Sequence, residues 1–248
     1  RITLNRPASY NALDLALARE LSDMLLRLST DESVRVITIT GAGEAFSAGG
    51  DIRRAMAHPN GPGAAFHELA TYVHLCVTEI RRMRKPVIAA INGVAAGGGF
   101  SLALACDFRI MAESARLKQG FTSNALCIDV GGTFTLPRLV GLARALEIAA
   151  FDEPIPAEQA LEWGLVTRVV PDIEVVPEAQ AMARTLLRKS LHTFGWSKQL
   201  LTDSFETPFE TQLERERQGL VSCASHREGI EGMSAFLEKR KPDYRTGG

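Results

Sequence analysis

A strand that runs through a three-glycine turn into a helix constrains this chain more than any other feature of its sequence. The stretch Ile91–Asp107 follows an apolar strand predicted at Val87–Ile91, and it places Gly97–Gly99 just before an Ala/Leu-rich helix. Glycines let a ligand oxygen approach the backbone closely, and the free N–H groups at the start of a helix attract negative charge. The stretch therefore indicates either an oxyanion site for a carbonyl that becomes an enolate or only a tight strand-to-helix turn.

A second apolar strand ends in a similar way. It is predicted at Val34–Thr40 and continues into the small-residue run Gly41–Ile52, in which Asp51 is placed to cap the next helix. The glycine spacing is not the fingerprint of a dinucleotide fold or a P-loop. Two turns of this kind can each supply one backbone N–H to a single oxygen, so the pair favours the oxyanion interpretation.

Six segments in chain order carry further motifs and span nearly the whole chain. They are NRPASYNAL (Asn5–Leu13), AFSAGGDI (Ala45–Ile52), KPVIAAINGVAAGGG (Lys85–Gly99), IDVGGTFTLPRLVG (Ile128–Gly141), ALEWGLVTRVV (Ala160–Val170) and EGMSAFLEKRKP (Glu231–Pro242). Together they resemble the crotonase (enoyl-CoA hydratase/isomerase) superfamily of acyl-CoA enzymes, some of which serve fatty acid metabolism. The resemblance implies oxyanion donors at the backbone N–H groups of Gly50 and Gly98.

The resemblance also implies a fold and an assembly. We expect an α/β protein whose residues 1–176 form a crotonase-like β-β-α superhelical spiral with the acyl-CoA site. Residues 177–248 should form a C-terminal all-helical oligomerisation region that builds a homotrimer or a hexamer. No cofactor is implied beyond the coenzyme A that the substrate carries.

The hydrophobic pattern predicts the elements in more detail. Helices are expected at Asp14–Leu28 and from about Phe66 to Met83, with the breaker-rich loop His58–Gly63 before the second. Strands stop after Val170, and only helices follow. These are predicted at Glu178–Lys189, Gly195–Thr202, Phe209–Cys223 and Ser225–Arg240, with Ser225 and Glu228 at the spacing of a capping box.

Charge and cysteine usage exclude several classes of protein. A formal net charge of −1 provides no basic field for nucleic acid, and no apolar run is long enough to cross a bilayer. The four cysteines form no C-x-x-C pair, and three lie in apolar segments, which predicts reduced core thiols and a cytoplasmic location. The histidines show no metal-ligand spacing, so no metal is expected. Arg1 lies inside a predicted strand without a preceding Met, so we expect residues before it.

The residues that hydratases of this family use are missing. Those enzymes hold a water with two glutamates, and the matching positions here are Ser101 and Phe121. Phenylalanine carries no proton, and a serine without a partner is a poor base. We assign both residues to the substrate pocket and do not expect ordinary hydratase activity.

Asp129 and His74 remain as candidate catalytic side chains. Asp129 would fit an N-cap of the following helix, but the resemblance places it as the proton carrier of an isomerase or the nucleophile of a 4-chlorobenzoyl-CoA dehalogenase. His74 lies at the margin of an apolar helical stripe, which is typical of a structural histidine, although the dehalogenase has its general base at this spacing before Pro86. Three hypotheses stay open: a double-bond isomerase, a dehalogenase-like enzyme and a non-catalytic acyl-CoA-binding homologue.

Further residues are predicted to contact coenzyme A. The resemblance places Ala48, Asp51 and Ile52 along the CoA, with Phe236 and Lys239 near its adenine and phosphate. Arg53 could meet a CoA phosphate or lie on solvated surface. The alternatives for Phe236 and Lys239 are a helix core and a solvated helix end.

Overall fold

Two β-sheets lie side by side, and the chain alternates between them. The computed structural model describes residues 1–244. The larger sheet is parallel, with the strand order β1-β2-β4-β6-β9, and the smaller sheet has the order β3-β5-β7-β8, with only its last pair antiparallel. The strands are Ile2–Leu4 (β1), Ile37–Gly41 (β2), Ala45–Ser47 (β3), Val87–Ile91 (β4), Val94–Ala96 (β5), Phe108–Ala112 (β6), Arg116–Lys118 (β7), Ile155–Pro156 (β8) and Arg168–Val170 (β9).

Helices follow each pair of strands. They are Leu15–Thr30 (α1), Ile52–Met56 (α2), Gly61–Arg82 (α3), Gly98–Ala105 (α4), Gly132–Phe151 (α5), Ala157–Glu162 (α6), Val175–Leu186 (α7), Leu191–Asp203 (α8), Phe209–Ser225 (α9) and Arg227–Leu237 (α10). Three times a strand of the larger sheet is followed by one of the smaller sheet and then by helix, as in β2-β3-α2, β4-β5-α4 and β6-β7-α5. The expected β-β-α spiral is therefore confirmed.

The core explains why the glycine-rich stretch organises the fold. The strand β4 lies in the middle of the larger sheet and every residue of it is buried, as is every residue of α4. A helix that is apolar on all sides must be enclosed by protein. The half-buried turn at Gly97 leads directly into this enclosed helix.

Several predicted boundaries are corrected. The helix α3 begins at Gly61 rather than Phe66, because Pro62 occupies its first turn, where its missing N–H costs nothing. Asp14 and Asp51 cap α1 and α2 with their side chains, the second as predicted. Ser225 does not cap the last helix, since it ends α9, and His226 accepts from the N–H of Glu228 instead.

The helical tail begins with an element of the core. The predicted helix at Glu178–Lys189 is α7, which packs on the larger sheet. The next helix, α8, is fixed to the core by buried Lys198, whose Nζ donates to the Ile80 carbonyl at 2.6 Å and to Asp107 Oδ2 at 2.8 Å. Burial raises the pKa of Asp107, although Lys198 acts in the opposite direction. The helix α9 packs on this anchored helix, and α10 packs on α9.

The cysteines depart from the prediction that three lie in the core. Cys76 and Cys106 are buried, and burial raises the pKa of both thiols to about 12. Cys127 is exposed and Cys223 is half-buried. An apolar neighbourhood in sequence did not translate into burial at Cys127, because its segment is a loop before α5. Within residues 1–244, no helix is both long enough and apolar enough to cross a membrane.

Candidate active site

The ends of β3 and β5 bring the two predicted donor turns together. The two strands pair in parallel, with Ala45 opposite Val94 and, after a bulge in β3, Ser47 opposite Ala95. The pairing ends there, since β3 stops at Ser47 and β5 at Ala96. Beyond the strands, the chain runs through Gly49 and Gly50 on one side and into the helix start at Gly98 on the other.

The two turns touch at Gly49. A Cβ at this position would lie 2.8 Å from the nitrogen of Gly98 and 2.7 Å from the carbonyl oxygen of Ala96, closer than any real side chain approaches. Its φ of +85° also falls in the left-handed region that favours glycine. The close approach of the turns therefore requires glycine at position 49.

The neighbouring backbone hydrogen bonds do not use the N–H groups of Gly50 and Gly98. Leu13 donates to the Gly49 carbonyl at 2.7 Å, and Asp51 donates to the Leu13 carbonyl at 2.9 Å. This bridge uses the neighbours of Gly50, so the N–H of Gly50 points to the other side of the strand. Gly98 is the first residue of α4, where an N–H has no acceptor within the helix. Both groups can therefore donate to a ligand.

A cavity of about 240 Å³ lies against this donor pair. Its wall is mainly apolar, and Asp129 is the only carboxylate on it among the described residues. The lining residues are Leu13, Ala48, Gly50, Ile52, Phe66, Leu69, Ala70, Val73, Ala96, Gly97, Gly98, Lys118, Gly120, Phe121, Ser123, Asn124, Leu126, Asp129 and Val130. An apolar cavity with a few convergent polar groups is typical of a small-molecule site. We call it the acyl cavity.

Asp129 does not cap the following helix, and the backbone next to it is strained. Gly131, not Asp129, is the N-cap of α5, and no side chain caps that helix. The N-cap alternative is therefore wrong. Val130 has a φ of +58°, in the left-handed region that a β-branched residue rarely adopts. Strain of this kind persists where the surroundings enforce it, often at functional sites.

His74 lies within hydrogen-bonding distance of Asp129. The distance from His74 Nε2 to Asp129 Oδ1 is 2.7 Å, and both side chains are about half exposed, at 53% and 43%. The contact joins α3 to the loop before α5. His74 does not line the acyl cavity, but it lines a second cavity of about 460 Å³ that also touches Asp129. Asp129 thus lies between the acyl cavity and His74.

Phe121 forms part of the wall of the acyl cavity, on a segment that Asp152 holds. The Asp152 carboxylate accepts from the N–H of Gly120 at 2.7 Å and from the N–H of Ser123 at 2.8 Å, and the Ser123 hydroxyl also donates to it. Burial alone would raise the pKa of Asp152, but these hydrogen bonds outweigh it and lower the pKa. Sequence reasoning missed Asp152, because nothing near the end of α5 signals this contact.

Ser101 does not lie where we expected it. Its side chain is fully buried, it is absent from the wall of the acyl cavity, and its hydroxyl has no hydrogen-bond partner. A Cβ on Gly132 would lie 2.5 Å from the Ser101 Oγ, so the start of α5 covers this side chain. The pocket assignment of Ser101 is corrected accordingly.

The residues predicted to contact coenzyme A are dispersed. Ala48 and Ile52 line the acyl cavity, and Asp51 instead caps α2 and pairs with Arg6 at 3.0 Å. Arg53 is exposed on α2. At the end of α10, Phe236 is 82% exposed, which excludes its helix-core alternative, and Lys239 is exposed with a φ of +55°. In the described residues, no cluster of three His, Cys, Asp or Glu is arranged to hold a metal ion.

Comparison with known proteins gives a consistent result. The sequence profile described as enoyl-CoA hydratase/isomerase matches residues 1–247. The chain is 36% identical over 244 residues to the 1,2-epoxyphenylacetyl-CoA isomerase of Escherichia coli (strain K12), covering 98% of this chain and 93% of that protein. It is 33% identical over 242 residues to 4-chlorobenzoyl coenzyme A dehalogenase-2 of Arthrobacter sp, covering 96% and 87%. A crystal structure of an enoyl-CoA hydratase from Polaromonas sp. JS666 matches with a TM-score of 0.92 and 34% identity, covering 98% and 95%.

Proposed function

This chain belongs to the enoyl-CoA hydratase/isomerase family, and from that premise we propose that it is an acyl-CoA double-bond isomerase with Asp129 as its proton carrier. The observation that carries the proposal is that Asp129 is the only carboxylate on the wall of the acyl cavity within residues 1–244, a wall that Gly50 and Gly98 also line. A 1,3-shift of a double bond needs one acid/base group, whereas hydration also needs an activated water.

The proposed reaction runs through a thioester enolate. Gly50 and Gly98 donate to the thioester oxygen, which stabilises the negative charge that forms when the α-proton leaves. Loss of one such donor in other enzymes costs about 2.7–4 kcal/mol of transition-state stabilisation. Asp129 takes the proton from the α-carbon and returns it to the γ-carbon, so the double bond moves and the carboxylate is regenerated. No group is needed beyond the coenzyme A of the substrate.

The surroundings of Asp129 favour isomerisation over hydration. Phe121 is part of the cavity wall at the position of one hydratase glutamate, and Ser101, at the other, is buried away from the cavity. Neither residue can hold and activate a water at the β-carbon. The apolar wall also limits the water that could quench the enolate.

A dehalogenase-like reaction is the second candidate, and the contact between His74 and Asp129 supports it. In this reaction Asp129 would attack an aromatic carbon of a halobenzoyl-CoA and release halide, forming an aryl ester on its carboxylate. His74, 2.7 Å away, would then take a proton from the water that hydrolyses the ester. A relative at 33% identity is named as such a dehalogenase.

Two variants separate these candidates. With a 3-enoyl-CoA as substrate, Asp129→Asn should lose at least about 100-fold in turnover, the scale of general acid/base catalysis. His74→Gln should retain turnover within about tenfold, because glutamine still offers a donor to Asp129. Exchange of the α-proton in deuterated water, followed by NMR, should disappear in the Asp129 variant alone. Near-full turnover by Asp129→Asn would refute the proposal.

Related measurements distinguish the dehalogenase and the non-catalytic binding protein from the isomerase. Halide release from a 4-halobenzoyl-CoA by the wild type, with an ester trapped on Asp129 in His74→Gln, would establish the dehalogenase instead. Isothermal titration that detects thioester binding without turnover of any thioester would indicate a non-catalytic binding protein. Absence of thioester binding would contradict all three.

A further inference from the structure

The cavity beyond Asp129 is chemically unlike the acyl cavity. It measures about 460 Å³ and meets the acyl cavity at Asp129, on the side of His74. Basic side chains from the last part of α3 and uncharged residues from the first turn of α5 enclose it. Its lining residues are His74, Val77, Thr78, Arg81, Arg82, Ile128, Asp129, Gly131, Thr133, Phe134 and Thr135. We call it the basic cavity.

Among the described residues, the two arginines of the basic cavity have no carboxylate partner. Within residues 1–244, neither Arg81 nor Arg82 forms an ion pair, and the guanidinium of Arg81 lies over the Phe134 ring, 4.3 Å from its centroid. A neighbouring groove, which both arginines also line, contains Asp203 and Glu206. Those carboxylates are paired elsewhere, Asp203 with Arg215 at 3.8 Å and Glu206 with Arg138 at 3.4 Å. The carboxylate that does line the basic cavity, Asp129, contacts His74, so both guanidinium groups remain without an ion-pair partner among the described residues.

The arginines lie at a defined distance from Asp129. His74, Thr78 and Arg81 recur at helical spacing on one face of α3, and seven residues of helix rise by about 10 Å. An anion bound by the arginines would thus lie on the order of 10 Å from the His74 contact with Asp129. That is about one Debye length at ordinary salt, so salt weakens the repulsion from the Asp129 carboxylate.

We propose that the acyl group of the substrate extends past Asp129 into the basic cavity and ends in a carboxylate that Arg81 and Arg82 bind. The inference rests on the proposed acyl-CoA function and specifies its substrate class, a CoA thioester of a dicarboxylic acid. A guanidinium suits this role because its planar donors match a carboxylate and keep their charge at every relevant pH. The stacking of Arg81 on Phe134 holds one of the two guanidinium groups in place before the ligand arrives.

Binding of unreactive thioesters tests the proposal without any turnover. Isothermal titration compares the mono-CoA thioesters of hexanedioic, octanedioic and decanedioic acids with hexanoyl-, octanoyl- and decanoyl-CoA. At least one dicarboxylic thioester should bind the wild type about tenfold more tightly than the methyl-ended thioester of the same length. Arg81→Gln and Arg82→Gln should each reduce this preference, and the double variant should abolish it. Arg184→Gln, which removes one exposed arginine from α7, should leave it unchanged.

The methyl-ended thioesters control for folding and for coenzyme A binding. Each arginine variant should bind them with wild-type affinity. Where a glutamine variant binds them more weakly, the lysine variant at the same position is measured instead. It keeps the positive charge and should restore the preference for carboxylate-ended thioesters. Equal affinity of the wild type for methyl-ended and carboxylate-ended thioesters at all three lengths would overturn the inference. A preference that persists in the double variant would overturn it as well. A wild-type protein that prefers carboxylate-ended thioesters but shows no isomerase turnover would count against the proposed reaction only.

Discussion

At the scale of single residues, Gly49 sets the distance between the two donor turns, and a methyl group there has no room. Gly49→Ala should therefore displace the N–H of Gly98 and reduce turnover at least about 100-fold, the scale of losing an oxyanion donor. The positive φ adds about 1–2 kcal/mol of strain, which lowers the melting temperature by about 5 °C in a chain of this size. Steady-state kinetics and thermal melting check both effects.

Gly63→Ala is the matched control for this substitution. A Cβ at Gly63 would meet no atom within 4 Å, so turnover should stay at the wild-type value. The melting temperature should stay or rise slightly, because alanine favours the helix α3 more than glycine does. If Gly49→Ala behaves like Gly63→Ala, the two turns do not form the donor pair that we infer.

Local patterns predicted part of the site, and long-range packing decided the rest. The glycine turns could be read from sequence because a strand, a turn and a helix start follow one another directly. The cap of α2 by Asp51 was local in the same way. The contact between His74 and Asp129 joins residues 55 positions apart, so no local pattern could reveal it. The burial of Ser101 likewise depends on where the start of α5 crosses it.

At the scale of elements, Asp152 couples the end of α5 to the cavity segment at Gly120–Asn124. Asp152→Asn tolerates the φ of +51° but loses the charge that three donors share. We expect a loss of about 1–3 kcal/mol in the free energy of unfolding and a several-fold rise in KM, because the segment carries Phe121. Denaturant melts and kinetics measure these two quantities.

Asp172→Asn is a suitable control, since Asp172 accepts from the N–H and hydroxyl of Ser114 in the same manner, far along the chain from Phe121. It should lower stability without changing KM. A KM that rises equally in both variants would contradict the coupling through Asp152.

The stability effect of Asp152 should depend on pH in one direction. Its pKa in the folded protein lies below the ordinary value of 3.8, so the ionised carboxylate stabilises the fold in full above that value. The contribution is lost as the pH falls through the folded-state pKa. The difference in unfolding free energy between the wild type and Asp152→Asn should therefore be constant near neutrality and shrink below about pH 4. A difference that grows on acidification would contradict this assignment.

Helices and strands were predicted correctly where the hydrophobic pattern extended over many residues. Their boundaries were missed where a single residue determined the start of a helix. The stripe of α1 and the alternation of strands and helices were clear in sequence. The start of α3 was placed too late, because a run rich in Gly and Pro suggested a loop, whereas Pro62 lies in the first turn of the helix. At the start of α10, His226 replaced the expected serine cap, since α9 continues through Ser225. Both misses are choices between neighbouring residues that differ little in intrinsic preference.

At the scale of the whole molecule, the helical tail leaves large apolar side chains uncovered. Phe209, Leu220 and Phe236 are 70%, 71% and 82% exposed. A monomer rarely tolerates so much exposed apolar surface, so we expect these helices to pack against further copies of the chain. The double variant Phe209→Glu/Leu220→Glu should shift the sedimentation coefficient toward that of one chain.

Ile173→Glu serves as the control for that shift. Ile173 is 84% exposed but lies before α7, outside the helices α9 and α10 that carry the exposed side chains. This variant should therefore sediment like the wild type. A wild-type protein that sediments as a single chain at micromolar concentration would refute the expected assembly.

The contact between the two glycine turns has a consequence for how readily such a protein can acquire new chemistry. The turns meet through backbone atoms at Gly49, Ala96 and Gly98, so the contact does not depend on the side chains that line the cavity. In the proposed reaction, substitutions on the cavity wall would change the acyl group or the proton path while the two donor turns keep the carbonyl polarised. Directed evolution of this chain should therefore hold residues 45–50 and 94–98 fixed and randomise positions such as Phe121 and His74.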